Sequence, residues 1–239
     1  MQKNKISILS TRPLQIELIN KAAQKNIEIE TLSFIETKPI ENNSLKQRIL
    51  HLSDHILTIV FTSMNAVDSV LLSLSNKKPD WKIFCIGSTT KKLVEENFGK
   101  NSIAGTADSA SDLADVIINQ KDISSVIFFC GDKRRNELPE KLIQHNIEVN
   151  EIEVYKTFET PHAIEKNYDA ILFYSPSAVN SFFSLNKINE QTILFTIGNT
   201  TANEIKKYSS NKIIVGRESS KELLFQQAIN FFETNPIQH

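Results

Sequence analysis

The sequence predicts a doubly wound α/β protein, and three observations carry that prediction. Short apolar runs, nearly continuous instead of alternating, recur along the chain. Each ends at a corner of Ser, Thr or Gly, and each corner opens a segment with helical spacing. Runs that are apolar on both faces belong to parallel strands covered by helices on both sides.

"KISILS" leads into "TRPLQIELINKAAQ", where Leu14, Leu18 and Ala22 fall on one helical face. Pro13, which has no N–H to lose, suits the first turn of that helix. "TIVFTS" leads into "MNAVDSVLLSL", with Val67, Val70, Leu71 and Leu74 on one face. "KIFCIGS" leads into "TTKKLVEENFG", which Gly99 should cap. "SVIFFCG" leads into "DKRRNELPEKLIQHN", "AILFYS" into "PSAVNSFFSL", "ILFTIGN" into "TTANEIKKY", and "KIIVGRESS" into "KELLFQQAINFF".

Two of these corners recur. "IVFTSMNAVDSVL" (59–71) and "ILFYSPSAVNSFF" (171–183) place Ser63 and Ser175 112 positions apart. "CIGSTTKKL" and "TIGNTTANEI" match as I-G-x-T-T, with Gly87 and Gly198 111 apart. Two motifs in one order at nearly one offset point to duplication; the rival reading is generic α/β patterning. Two stretches break the rhythm, "TLSFIETKPIENN" (31–43) and "EIEVYKTFETP" (151–161). Both read as extended, contain proline and enter no helix directly. Taken as crossings, they leave 38–152 as one domain and join 1–33 with 160–239 as the other, with linkers near 34–37 and 153–159. Two crossings side by side make a hinge-like waist, with Ser63 and Ser175 expected to look into a common cleft.

The totals are those of an ordinary soluble globular protein: 239 residues, 40% hydrophobic and 23% charged. A net charge of -1 argues against a broad nucleic-acid surface or a polybasic membrane anchor. The N-terminus lacks a signal-peptide pattern, and no apolar run approaches the roughly 18–20 residues of a membrane span, so a cytoplasmic location is expected. Cys85 and Cys130 each end a strand-like run and read as small core hydrophobes, with no disulfide expected in a reducing compartment.

At the C-terminal edge of a parallel sheet, the free N–H groups of each following helix carry partial positive charge and favour anions. Ser63, Ser175, Thr89-Thr90 and Thr200-Thr201 add hydroxyls there. Helix capping is the plain structural reading of each, worth about 1 kcal/mol; their repetition in both halves favours one shared ligand. The chain has neither G-x-G-x-x-G nor G-x-x-x-x-G-K-[ST], so dinucleotide and triphosphate fingerprints are missing. His51 and His55 share an i, i+4 spacing, but "HLSDH" lacks both the glutamate and a third ligand of a zinc motif, so solvated helix histidines are expected and no metal. No G-x-S-x-G elbow or Cys–His pairing supplies a nucleophile. Of five arginines, Arg12 follows the first strand and Arg134-Arg135 another. Guanidinium at strand ends can fork onto carboxylates. Cations at a helix start oppose the macrodipole, and a ligand anion would account for them.

"FTSMNAV", "IGSTT", "CGDKRRNELPEKL", "VYKT", "FYSPSAV" and "IGNTTA" together resemble the uroporphyrinogen-III synthase family in order and spacing, over nearly the whole chain. The resemblance implies two Rossmann-like parallel-sheet domains joined by a two-stranded linker, one of them built from both chain ends. It implies a lyase of tetrapyrrole (heme) biosynthesis that cyclises hydroxymethylbilane to uroporphyrinogen III with loss of water, using no metal and no organic cofactor. In that chemistry the hydroxyl leaves to give an azafulvene, the substituted carbon of ring D attacks it, and the spiro intermediate recloses with ring D inverted. The reactive groups are the substrate's, so the protein has mainly to fold and hold a polyacid and help the hydroxyl leave.

By motif position, Tyr155 in "VYKT" corresponds to the family's linker tyrosine and is expected to donate a proton or hydrogen bond to the departing hydroxyl; packing across two linker strands is the competing role. Ser63, Thr90, Ser175 and Thr201 carry over as substrate contacts, Arg135 as a basic position, and Arg12 from a more variable corner. Met64 and Asn199 stand where proline is frequent. A monomer in transient contact with the preceding pathway enzyme is expected. A bilobal small-anion or sugar-phosphate sensor without chemistry and an idle regulatory family member are the rival readings.

Overall fold

The computed structural model describes residues 5–217 and 220–235. The chain opens with β1 (Ile6–Ser10), α1 (Ile16–Gln24), β2 (Ile27–Thr31) and β3 (Ile35–Pro39). Next come α2 (Asn43–Leu52), β4 (Thr58–Phe61), α3 (Met64–Leu74), β5 (Lys82–Ile86), α4 (Ser88–Phe98), β6 (Ile103–Ala107), α5 (Ala110–Ile118), β7 (Ser125–Gly131) and α6 (Glu137–Gln144). It closes with β8 (Glu148–Glu159), β9 (Ala170–Phe173), α7 (Pro176–Phe183), β10 (Ile193–Thr196), α8 (Asn199–Ile205), β11 (Ile213–Val215) and α9 (Lys221–Thr234). Contacts divide it into two units, Met1–Glu36 with Phe158–His239, and Thr37–Thr157. No helix among the described residues is long and apolar enough to cross a membrane.

In the first unit the sheet runs β11-β10-β9-β1-β2, and every pair in it is parallel. Counted within the unit this is the order 2-1-3-4-5, the flavodoxin-like winding, whose direction switches between β1 and β9. The continuous apolar runs have a simple cause: alternate residues serve opposite helical layers. Ile8, Leu172 and Phe195 join one core with Leu224 and Phe225, while Leu9, Phe173 and Leu194 join another with Phe182 and Ile205.

The second unit's sheet runs β3-β8-β7-β4-β5-β6. From β8 to β6 the pairs are parallel. Within the unit the order is 3-2-1-4-5, the Rossmann winding, with its switch between β4 and β7. Phe61, Ile83, Cys85 and Phe129 face one core with Trp81, whose indole N–H donates to the Leu52 carbonyl at 3.3 Å. Val60, Phe84, Phe128 and Cys130 face the other. β3 pairs with β8 in the opposite sense: Thr160 N–H donates to Phe34 O at 3.0 Å and Ile40 N–H to Val154 O at 2.9 Å. The chain passes between the units along these two strands.

The two sheets share one spatial order, with β4 matching β9, β5 matching β10 and β6 matching β11, and then β7 matching β1 and β8 matching β2. The duplication therefore extends into the chain's beginning. "QKNIE" after α1 and "QHNIE" after α6 match, and Asn26 and Asn146 both take φ 59° at the turn into β2 and β8. Asparagine tolerates this left-handed conformation after a helix.

The helix after β1 differs from expectation. Pro13 lies outside α1, whose N-cap is Gln15 in extended backbone. Gly99 does cap α4, at φ 90°. β2, α2, β6 and α5 lie outside the predicted rhythm, and α2 begins at Asn43, so the 31–43 stretch does lead into a helix. The two strands are sheet edges with alternating burial, so they lack the continuous apolar run by which the others are recognised.

Candidate functional site

Ser63 follows β4 in extended backbone (φ -150°, ψ 139°) and caps α3, its Oγ accepting the Asn65 N–H at 3.2 Å. Ser175 follows β9 in nearly the same conformation (φ -159°, ψ 156°) and caps α7 by accepting the Ala178 N–H at 3.2 Å, with Pro176 in the first turn. Each serine thus fills its capping role, and each stands at the switch point of its own sheet, where open α/β sheets bind ligands.

Tyr155 owes its place to an irregularity in β8. Cys130 pairs with Glu153 but Gly131 with Tyr155, so the register shifts there by one residue. Such bulges re-aim a side chain. The strand beyond is pinned by Asp132, whose N–H donates to Tyr155 O at 3.2 Å and whose Oδ1 accepts the Thr157 N–H at 2.8 Å. The tyrosine ring then lies on Gly131: a Cβ at that position would sit 2.4 Å from Cε2 and Cζ and 2.8 Å from the hydroxyl oxygen. From that slot the Tyr155 hydroxyl donates to Ser63 Oγ at 3.3 Å. Two residues 92 apart in sequence are brought together, with Gly131 as the space that admits the ring.

A recess of about 190 Å³ opens beside Tyr155, lined also by Thr37, Lys38 and Pro39 of β3 and by Asn65, Asp68 and Ser69 of α3. Asp68 is the only charged residue of that helix. Asp68 is itself exposed, and the desolvation it meets from the helix and strand beside it raises its carboxyl above the ordinary aspartate value.

Thr90 and Thr201 point into their units, the latter fully buried with its hydroxyl unpartnered, so the side-chain contact expected of them is not available in this arrangement. Their exposed neighbours Thr89 and Thr200 carry the surface hydroxyls instead. The preceding glycines also differ. Gly87 needs its φ of 72°, whereas Gly198 is extended, a conformation open to any residue. Arg134 and Arg135 precede α6 and do not lie in it. Arg134 pairs with Glu151 and with the Asn136 side chain, so its anion is the protein's own. Arg135 is exposed at the end of the β7 corner.

In the first unit Arg12 is half-buried after β1. Its carbonyl accepts the Ser10 hydroxyl at 2.6 Å, and Thr11 donates to Leu172 O through both its N–H (3.1 Å) and its Oγ1 (2.8 Å). This fixes the corner against β9, beside Ser175. Lys221, at the start of α9, was not singled out by the sequence. It is half-buried, and desolvation, then repulsion from Arg12, lowers its pKa. Two cations therefore gather at this edge. His51 and His55 stack edge to face at 5.0 Å, and among the described residues no group of three His, Cys, Asp or Glu could hold a metal. Cys85 and Cys130 are free and buried, and burial pushes both thiols up to about 11.

A family model described as uroporphyrinogen-III synthase HemD matches residues 17–226. The chain belongs to the uroporphyrinogen-III synthase family. Members are cofactor-independent cyclising lyases of tetrapyrrole synthesis. Two solved structures are similar in fold. Uroporphyrinogen-III synthetase from Helicobacter pylori is 16% identical at a TM-score of 0.63, with 95% of this chain and 99% of that one covered. A mutant uroporphyrinogen III synthase from the extremely thermophilic bacterium Thermus thermophilus is 11% identical at 0.63, covering 96% and 99%. No curated protein sequence matches significantly. At these identities the synthase structures establish the two-sheet α/β fold, while membership rests on the family match.

Proposed function

We propose that the chain cyclises hydroxymethylbilane to uroporphyrinogen III and that Tyr155 assists departure of the terminal hydroxyl. The observation that carries the role is the slot over Gly131, which holds the ring with its hydroxyl 3.3 Å from Ser63 Oγ. A phenol whose ring is held while its O–H can rotate to a new acceptor suits a proton or hydrogen-bond donor. Such assistance is worth about 10²–10⁴-fold in rate. The substrate is a polyacid, and its carboxylates are received at strand ends. The second unit offers the capped α3 corner with Ser63, exposed Arg135 and Thr89; the first offers Arg12, Lys221, Ser175 and Thr200. Thr90 and Thr201 contribute through their backbone N–H groups.

The same reading has the chain acting as a monomer in the cytoplasm, where free buried cysteines are at home. Because hydroxymethylbilane closes unaided to the wrong isomer, transient contact with the enzyme that releases it shortens the exposure. Tyr155→Phe tests the central role: isomer III should form at least tenfold more slowly with the melting temperature little changed. An undiminished rate removes Tyr155 from the chemistry.

A further inference from the structure

The recess beside Tyr155 contains a group that the binding of a polyacid does not explain. Asp68 repels carboxylates, yet it lines the same cavity as the tyrosine and Lys38. Its placement is specific. Asn65, Asp68 and Ser69 lie at i, i+3 and i+4 on α3, a polar strip on a helix whose Ala66, Val67, Val70 and Leu74 are buried. Ser69 turns its hydroxyl back onto Asn65 O at 2.6 Å, leaving the Asp68 carboxylate as the strip's charged acceptor. An ionised carboxylate only accepts hydrogen bonds. Apart from its carboxyl groups, the substrate's donors are its pyrrole N–H groups and the hydroxyl that leaves.

We propose that Asp68 accepts the pyrrole N–H of the ring bearing the hydroxymethyl group, in the recess shared with Tyr155. This rests on the synthase reading and extends it. As the C–O bond breaks, the departing hydroxyl takes a proton from Tyr155 and leaves as water. The same ring's N–H bond gives its proton to Asp68, and its electron pair becomes the C=N bond of the neutral azafulvene. Closure returns both protons. The nitrogen takes one back from Asp68 as the spiro bond forms at the substituted carbon of ring D, which carries no hydrogen. Once the spiro intermediate has reopened, the unsubstituted carbon that recloses the inverted ring loses its proton to Tyr155. Net loss is one water, with no co-reactant. A carboxylate there also opposes the positive charge that the ring would otherwise develop.

Steady-state kinetics with freshly prepared hydroxymethylbilane test it, using wild type, Asp68→Asn and Asp68→Glu, with isomers I and III separated after oxidation. Asparagine keeps the shape but cannot take the proton, so kcat for isomer III should fall at least tenfold. KM should stay or drop, because a charge repelling a polyacid is gone. Glutamate should restore part of kcat. A kcat for Asp68→Asn within twofold of wild type overturns the proposal. So does a loss confined to KM, which would make Asp68 a binding group only, or glutamate no better than asparagine. If wild type itself forms no isomer III, the synthase reading fails; if it does and Asp68→Asn keeps pace, only the role of Asp68 fails.

Discussion

Replacing Gly131 by alanine puts a methyl carbon 2.4 Å from two ring carbons of Tyr155. Ordinary contact starts at 3.4 Å, so the ring must retreat by about 1 Å. The backbone cannot yield easily, because Gly131 is paired with Tyr155 and Asp132 anchors the strand on both sides of it. A displacement of about 1 Å in a catalytic group costs on the order of 10²-fold in rate. Overpacking of this kind costs about 1–3 kcal/mol, and each kcal/mol lowers the melting temperature of a chain this size by about 2–4 °C. The assay is the initial rate of isomer III formation for Gly131→Ala, Tyr155→Phe and the double variant, beside thermal melts. Each single variant should lose most of the tyrosine's contribution. The double variant should be no slower than the worse single, because both changes remove one group from its place. A wild-type rate for Gly131→Ala, or losses that multiply in the double variant, would refute the slot.

Ser63→Ala removes both the cap on Asn65 and the acceptor of the Tyr155 hydroxyl; melting should fall by a few degrees, for about 1 kcal/mol, and the rate by less than in Tyr155→Phe, because the hydroxyl itself remains. Asp68 has its pKa raised by desolvation. The ionised acceptor is therefore lost on acidification at a higher pH than for an unperturbed aspartate, and kcat should show an acid limb that Asp68→Asn lacks; Lys38 and Tyr155 are the other titratable groups lining the recess. The sign for folding is opposite: a raised folded pKa means stability present at low pH and lost as pH rises through it, so Asp68→Asn should melt no lower than wild type at neutral pH. Cys85 and Cys130, buried and pushed up to about 11, should resist a thiol reagent in the native chain and react once it is unfolded; fast native labelling would contradict their burial.

The elements legible in the sequence are those whose fate is decided locally. β4, β5, β7, β9 and β10 lie inside their sheets, so both faces are covered and their apolar runs announce them. β2 and β6 sit at edges, and "IEIET" and "IAGTA" dilute the signal with residues that face solvent. The Ser63–Ser175 repeat could be read because both copies run in the same order. The "QKNIE" and "QHNIE" pair, which completes the duplication, falls in reversed order, since β1 and β2 open the chain but occupy the places of β7 and β8. In the Thr-Thr pairs, the phase of the helix decides which residue faces out, and in both α4 and α8 it is the first. From sequence alone Arg134 asks for a ligand anion, because Glu151, its partner, lies on the next strand. Gly131 gives no warning of its role, which depends on a bulge in β8 and a ring 24 positions away. Asp68 reads as an ordinary surface charge and is indeed exposed; what the sequence hides is that Lys38 and Tyr155 line the same recess.

At the centre of this mechanism, the protein disciplines a reaction whose reactive groups all belong to the substrate. The most direct measurement supplies freshly made hydroxymethylbilane to the purified chain, oxidises the products and separates the isomers against a sample without protein. Isomer III should dominate, with the spontaneous isomer I suppressed. Isomer I alone, at the level of the protein-free sample, would contradict the mechanism.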